Sequence, residues 1–327
     1  MTEAIMGLDV SKHTLDAALL HEGKTYFQVV QNDLSGFQQL TAWLKAKKSQ
    51  QVHICLEATG QYGFAAAEYL YYCQYKVSVI NPARIKAYAA SRLKRHKTDK
   101  ADAFLIAEFC QKEKPVLWYP ASPVFSALKA LVHCLDDFMA MHQQESNRTE
   151  FSSKDPLVEN LVFEHIAFIE AKIKMLRSAI HKQIQQDPQL KLCCELLESI
   201  PGIGELTAAR LLAEIRNFHD FKNARQLTAY AGLNPRQYQS GSSVRRKSRL
   251  SKTGNASLRR ALFMPAIVAK NHNPIVHEFC QRLSDKGLSK MAVVGAAMRK
   301  LLVLSYGVIK TQLPFDPKFA QEEVSFT

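Results

Sequence analysis

The sequence predicts an α/β sheet domain followed by mainly helical regions, and three observations carry that expectation. Residues 4 to 32 alternate apolar and polar over "AIMGLDVS", "TLDAALLH" and "KTYFQVVQ", separated by polar turns, as consecutive antiparallel strands do. Helical and strand patterns then alternate to about residue 115, the signature of an α/β sheet. From Ser122 onward the strand signals fade and long helical periodicities take over.

Taken in order, "DLSGFQQLTAWLKAK" has helical periodicity, "QVHICLEA" reads as a buried strand, "YGFAAAEYLYYC" as a helix and "KVSVINP" as a strand. Two further helices, "ARIKAYAASR" and "KADAFLIAEFCQKEK", close a first domain over residues 1–115. Two long helical patterns flank the polar break "ESNRTEFSSKDP" and make a helical hairpin or coiled-coil region over 116–194. In the second of them Val162, Ile166, Ile169, Ile173, Leu176 and Ile180 fall at heptad-like steps. Such a seam suits packing within one chain and packing between chains equally. Residues 195–312 form a third, mainly helical region, and 313–327 a polar tail.

The 327 residues carry a formal charge of +13, which points to a polyanionic partner, nucleic acid foremost. The N-terminus lacks the order of a signal peptide, and no apolar run approaches the ~18 residues of a membrane span. Seven cysteines, odd in number and without a C-x-x-C pair, read as buried free thiols of a reducing cytoplasm, here a bacterial one.

Four acids draw attention. Asp9 lies in the first predicted strand among apolar neighbours, where a carboxylate is unfavourable unless compensated, for instance by a metal ion. Glu57, in "CLEATG", ends another strand and is followed by small residues. Asp99 and Asp102, in "RHKTDKADA", project from one face at the start of a helix, where acids are also ordinarily favourable. As a set they make an oxygen-ligand cage for Mg²⁺, and two such ions would stabilise the attacking and leaving oxygens of a phosphodiester exchange. Arg92, Lys94, Arg95, Lys97 and Lys100 precede or interleave these acids and would bring a phosphate backbone to them.

In "IPGIG", Gly202 and Gly204 suit either a tight interhelical turn or the close approach of backbone N–H groups to a phosphate, as in a helix-hairpin-helix. Downstream, Arg236, Arg245, Arg246, Lys247, Arg249, Lys252, Arg259 and Arg260 form a run without a single acid, which a polyanion would complete. Within it, "QSGSS" sets Ser240, Ser242 and Ser243 in a basic loop. By composition these serines are phosphate hydrogen-bond donors; a nucleophile needs activation, and the loop holds cations but no histidine.

The order "GLDVSK", "LEATGQYG", "RHKTDKADA", "PGIG", "AGLNPRQYQSGSS" and "LSKTGNASLRRAL" resembles the DEDD-type transposases of bacterial insertion sequences, the group that includes the pilin-gene invertase. The resemblance covers essentially the whole chain. It implies a RuvC-like, RNase H-type mixed-sheet domain whose Mg²⁺ ligands fall on Asp9, Glu57, Asp99 and Asp102. It also implies a C-terminal transposase domain whose serine, matching Ser240 with Ser242 in reserve, attacks DNA to form a covalent phosphoserine link. Arg245 and Arg246 are the expected phosphate contacts. The family further implies target and donor DNA, a structured non-coding guide RNA, and a homo-oligomer in which one subunit's acids complete another's serine. Two rivals are a RuvC-like nuclease that resolves branched DNA by water attack, and a non-catalytic nucleic-acid scaffold.

Overall fold

The computed structural model describes residues 4–47, 51–57, 62–92, 98–149, 155–215, 217–240 and 244–318, with backbone alone over 237–240 and 244–248. The chain divides into two compact units, one ending at Pro120 and the other beginning at Ala121.

The first unit is built on strands β1 (Ala4–Val10), β2 (Thr14–His21), β3 (Lys24–Gln31), β4 (Val52–Glu57) and β5 (Lys76–Ile80). Their order is β3-β2-β1-β4-β5. Antiparallel contacts join β1, β2 and β3, and parallel contacts join β1, β4 and β5. This mixed α/β sheet is of the RNase H type. Helices α1 (Leu34–Ala46), α2 (Phe64–Tyr72), α3 (Pro82–Ser91) and α4 (Asp99–Glu113) cover it, α1, α3 and α4 starting at side-chain caps from Asp33, Asn81 and Thr98.

Each strand has a period of two, so alternate residues serve different cores. Met6, Leu8, Leu15, Leu19, Ile54 and Leu56 pack with Phe37, Leu40 and Leu44 of α1 and Leu70 of α2. Ile5, Cys55 and Ile80 pack on the opposite face with Ile85 of α3 and Leu105, Ile106 and Phe109 of α4. Asp9, Asp16 and Glu57 share the parity of the residues on this second face.

In the second unit, α5 (Pro123–Thr149) and α6 (Pro156–Gln186) lie against one another and are followed by α7 (Pro188–Glu198), α8 (Glu205–Glu214) and α9 (Ala224–Tyr230). A hairpin of β6 (Pro235–Ser240) and β7 (Val244–Leu250) precedes α10 (Ala256–His272), α11 (Pro274–Asp285) and α12 (Lys290–Thr311). One hydrophobic core runs from Leu128 and Val132 of α5 through Leu176 and Ile180 of α6 to Leu301 and Leu302 of α12. The helical hairpin and the region after residue 195 therefore share a core. The α6 seam is used inside the chain: Val162, Ile169, Leu176 and Ile180 are buried.

Two sequence expectations change. The segment read as a basic loop around Ser240 is an antiparallel hairpin, because backbone pairing sets a strand even where polar residues erase the apolar alternation. All seven cysteines are free, yet Cys73 is exposed and Cys134 half-buried. Among the described residues α12 alone is long and apolar enough to cross a membrane, and half of that stretch is buried in the unit's core.

Candidate functional site

Register brings three acids together on the sheet. Asp9 lies directly opposite Asp16 across the β1–β2 contact. Leu8 pairs with Leu56 in the parallel β1–β4 contact, which leaves Asp9 and Glu57 side by side at adjacent strand ends. The turn beyond Asp9 is fixed by Ser11, whose Oγ accepts from the backbone N–H of Thr14 at 2.8 Å. Asn32 Nδ2 donates to Ser11 O at 2.8 Å and to Tyr62 O at 3.1 Å, tying that turn to the segment that leads into α2.

Helix α4 adds the other two acids from its first turn, where a carboxylate is favoured by the helix dipole. Gly7 explains how close the helix comes. A Cβ at residue 7 would lie 2.2 Å from Ala103 O and 2.3 Å from Ala107 N, so only glycine lets α4 rest on β1 backbone to backbone. Asp99 and Asp102 thereby act on Asp9.

The electrostatics register the convergence. Asp9 is pushed up to about 6, first by burial, then by Asp102, Asp99, Glu57 and Asp16. Asp16 is raised by burial and by Asp99, and Lys100 opposes the rise. Five carboxylates held together at a strand end and a helix start are mutually unfavourable, and hard oxygen donors of this kind suit a hard divalent cation. Asp16 escaped the sequence reading. The signal was the strand–turn–strand "GLDVSKHTLD", but only the register shows that its two aspartates face each other.

Beside these acids His53, Cys55 and Cys110 place potential ligand atoms within 4.8 Å of one another. His53 Nε2 is already paired with Ser78 Oγ at 2.8 Å, and the Cys110 hydrogen bond and burial push the Cys55 thiol far up. Protonated thiols and a satisfied imidazole form a packed core.

Of the basic residues before α4, Arg92 pairs with Glu108 and sits over the Tyr88 ring at 5.7 Å. Lys94, Arg95 and Lys97 lie outside the described residues.

In the second unit Gly202 has φ +105°, and a Cβ there would meet Ala269 Cβ of α10 at 2.7 Å, so packing alone demands glycine. Gly204 is the N-cap of α8, with no side-chain cap and open space around it. Ser240 ends β6 and pairs with Val244; Ser242 and Ser243 lie outside the described residues. Arg236 pairs with Arg249, Tyr238 with Arg246 and Gln239 with Arg245, and Lys247 is also in β7. Like charges directly opposite one another are unfavourable, as Arg236 and Arg249 are. Lys252 follows at φ +55°, where the chain turns from the hairpin toward α10.

Comparison with known proteins gives the family. Residues 6–150 match the DEDD transposase model of the IS110 group, and residues 194–281 match the model described as transposase IS116/IS110/IS902 family. The pilin gene-inverting protein of Moraxella bovis is 36% identical over 321 residues, covering 97% of this chain and 99% of the relative. The chain belongs to the IS110 family of transposases. Its counterpart in Moraxella lacunata is equally similar, and the transposase for insertion sequence element IS1111A of Coxiella burnetii is 40% identical over 79 residues, 24% of this chain and 21% of the relative. Thermus thermophilus RuvC in complex with a Holliday junction substrate overlaps 32% of this chain and 90% of its own at 12% identity, with a TM-score of 0.26. The strand order β3-β2-β1-β4-β5 is itself that of an RNase H-type sheet.

Proposed function

We propose that this transposase cleaves, exchanges and rejoins DNA strands through a covalent link to Ser240, with Asp9, Glu57, Asp99 and Asp102 holding Mg²⁺. The observation that carries the reading is the acid cluster, in which Gly7 admits α4 and Asp9 is raised to about 6 by its neighbours. Bound Mg²⁺ supplies charge stabilisation to the attacking and leaving oxygens.

The protein's own groups do the rest. Ser240 Oγ gives up its proton and bonds to phosphorus as one P–O bond to deoxyribose opens, the released oxygen becoming a hydroxyl. Attack by a hydroxyl of another strand reverses the step, returns the proton to Ser240 and needs no external energy. Arg236, Arg245, Arg246, Lys247, Arg249 and Lys252 neutralise the phosphates on either side, and Gly204 offers an uncapped helix start to the backbone. The family resemblance adds a non-coding guide RNA, which a charge of +13 supports because RNA and two DNA duplexes would share one basic surface. Such chemistry belongs in the bacterial cytoplasm.

A homo-oligomer is part of the same reading. With the Val162–Ile180 seam spent inside the chain, the outward stripe of α6 takes its place: Leu157, Leu161, Phe168 and Met175 recur at steps of four, seven and seven and are all more than half exposed.

The deciding experiment compares Ser240→Ala with Asp102→Asn on a plasmid carrying the gene and its own flanking DNA. Both should bind DNA, and neither should yield recombinants or a protein–DNA adduct. Cleavage by Ser240→Ala at the wild-type rate would leave a water-dependent nuclease instead.

A further inference from the structure

The base of the serine hairpin is tied to a buried carboxylate that the proposed chemistry does not use. Glu214 ends α8 and is 7% exposed. Its Oε2 accepts from Asn255 Nδ2 at 2.6 Å, its Oε1 pairs with His133 Nε2 at 2.6 Å, and Lys129 Nζ lies 3.8 Å away. All of these groups belong to the second unit.

Asn255 is the joint between this buried cluster and the hairpin. Its Oδ1 caps α10 by accepting from Leu258 N at 2.9 Å, and its own N–H donates to Tyr230 O at 2.8 Å. Around it, Ser251 N donates to Asn234 O, Lys252 N donates to Gly232 O, and Arg259 Nη1 donates to the carbonyls of Ala231, Gly254 and Asn255. Asn234 in turn accepts from Thr228 Oγ1 at 2.9 Å. Leu250, the last residue of β7, packs against Gly295 of α12. The foot of the hairpin is thus over-determined.

The tip is remote from this foot. From the Pro235–Leu250 pair to the Ser240–Val244 pair is five residue steps, ~17 Å at ~3.4 Å per residue. Glu214 therefore cannot act on Ser240 directly. A lever of that length converts a small rotation at its foot into a large displacement of its tip.

Building on the reading of Ser240 as nucleophile, we propose that Glu214 and Asn255 are positioning residues: their hydrogen bond, braced by His133 and Lys129, sets the angle at which the β6–β7 hairpin presents Ser240 to DNA. Asparagine is required because it alone caps α10 with its oxygen while giving its amide N–H to Glu214.

The test separates capping from positioning. Asn255→Asp and Asn255→Ser keep a good helix cap, but the first sets a carboxylate against Glu214 and the second is too short to reach it. The Glu214→Gln/Asn255→Asp double variant exchanges donor and acceptor and so restores the bond. Adduct and recombinant formation would be followed on the same plasmid, with DNA affinity and the melting midpoint measured alongside.

Both single variants should lose rate on the order of tenfold to a hundredfold, the penalty for misplacing an attacking group by ~1 Å, while still binding DNA well below their melting midpoints. The double variant should recover most of that loss. Wild-type rates in Asn255→Ser, or a folded double variant no faster than Asn255→Asp, would overturn the proposal. Ser240→Ala run in parallel separates the two failures. If it still forms adduct, the nucleophile reading falls and this inference with it; if it is inert while Asn255→Ser is fully active, only the positioning role falls.

Discussion

Asp9 shows how one residue ties the fold to the site. Its pKa of about 6 lies above the ordinary 3.8, so ionised Asp9 opposes folding. A raised folded-state pKa contributes stability that is complete below 3.8 and is lost as pH rises through about 6. In EDTA at neutral pH, Asp9→Asn should therefore be more stable than wild type by on the order of 1–2 kcal/mol, discounted from the full shift because the carboxyl is half open to solvent. Melting curves taken at falling pH should show the two proteins converging through about 6 and matching near 3.8. A gap that ignores pH would contradict the electrostatic account. Gly7 is the neighbouring test. Gly7→Ala forces a Cβ into Ala103 O and Ala107 N, which should lower stability by roughly 1–3 kcal/mol, as overpacking does, and abolish recombination by lifting α4 off β1. A Gly7→Ala protein with unchanged melting and activity would mean that α4 shifts freely. Asp9, Glu57, Asp99 and Asp102 could be picked out in the sequence because each stands in a short motif, whereas Asp16 could not. Its place in the cluster comes from strand register, and register emerges only when β1 and β2 pair.

At the scale of elements, legibility followed hydrophobic period. Strands β1 to β5 and helices α1 to α4 could be read because each carries a buried face with a regular repeat. The β6–β7 hairpin could not, since "QYQS" and "VRRKSRL" show no apolar–polar alternation in the sequence; its pairing is a backbone property masked by charge. The same charge defines its prediction. If Arg245 and Arg246 neutralise phosphates, Arg245→Ala and Arg246→Ala should each weaken DNA binding about equally for all sequences and reduce the slope of log affinity against log salt by about 1. An unchanged slope would remove them from the phosphate contacts. Helix α6 carries a different lesson. Its heptad seam was plain in the sequence, but periodicity cannot say whether the partner helix belongs to the same chain, and α5 occupies it. The outward stripe gives the measurable consequence: Leu161→Glu with Phe168→Glu should reduce the mass seen in sedimentation to that of a smaller assembly. Because both side chains are exposed in the single chain, folding stability should stay within about 0.5 kcal/mol.

At the scale of the whole molecule, the proposed chemistry takes its serine from one unit and its acids from the other. The first unit gathers negative charge around Asp9, and the second gathers Arg and Lys on a hairpin with no acid between Arg236 and Arg260. On that proposal neither unit suffices alone for phosphoryl exchange: the acids need a nucleophile, and the serine needs metal ligands. If the two halves meet only on nucleic acid, assembly rather than folding would decide when cleavage begins. If subunits complete one another, a mixture of two dead variants must regain function. Ser240→Ala supplies intact acids and Asp102→Asn an intact serine, so a mixed assembly contains sites in which both halves are wild type. Coexpression of the two on the plasmid should restore recombinants to roughly a quarter to a half of the wild-type level if the halves assort at random between subunits, each productive site drawing its acids and its serine from different chains. If each chain instead builds its own centre, every site in the mixture carries one lesion. No recombinant would then appear, and an oligomer formed through α6 would serve only to hold two complete active sites near one another.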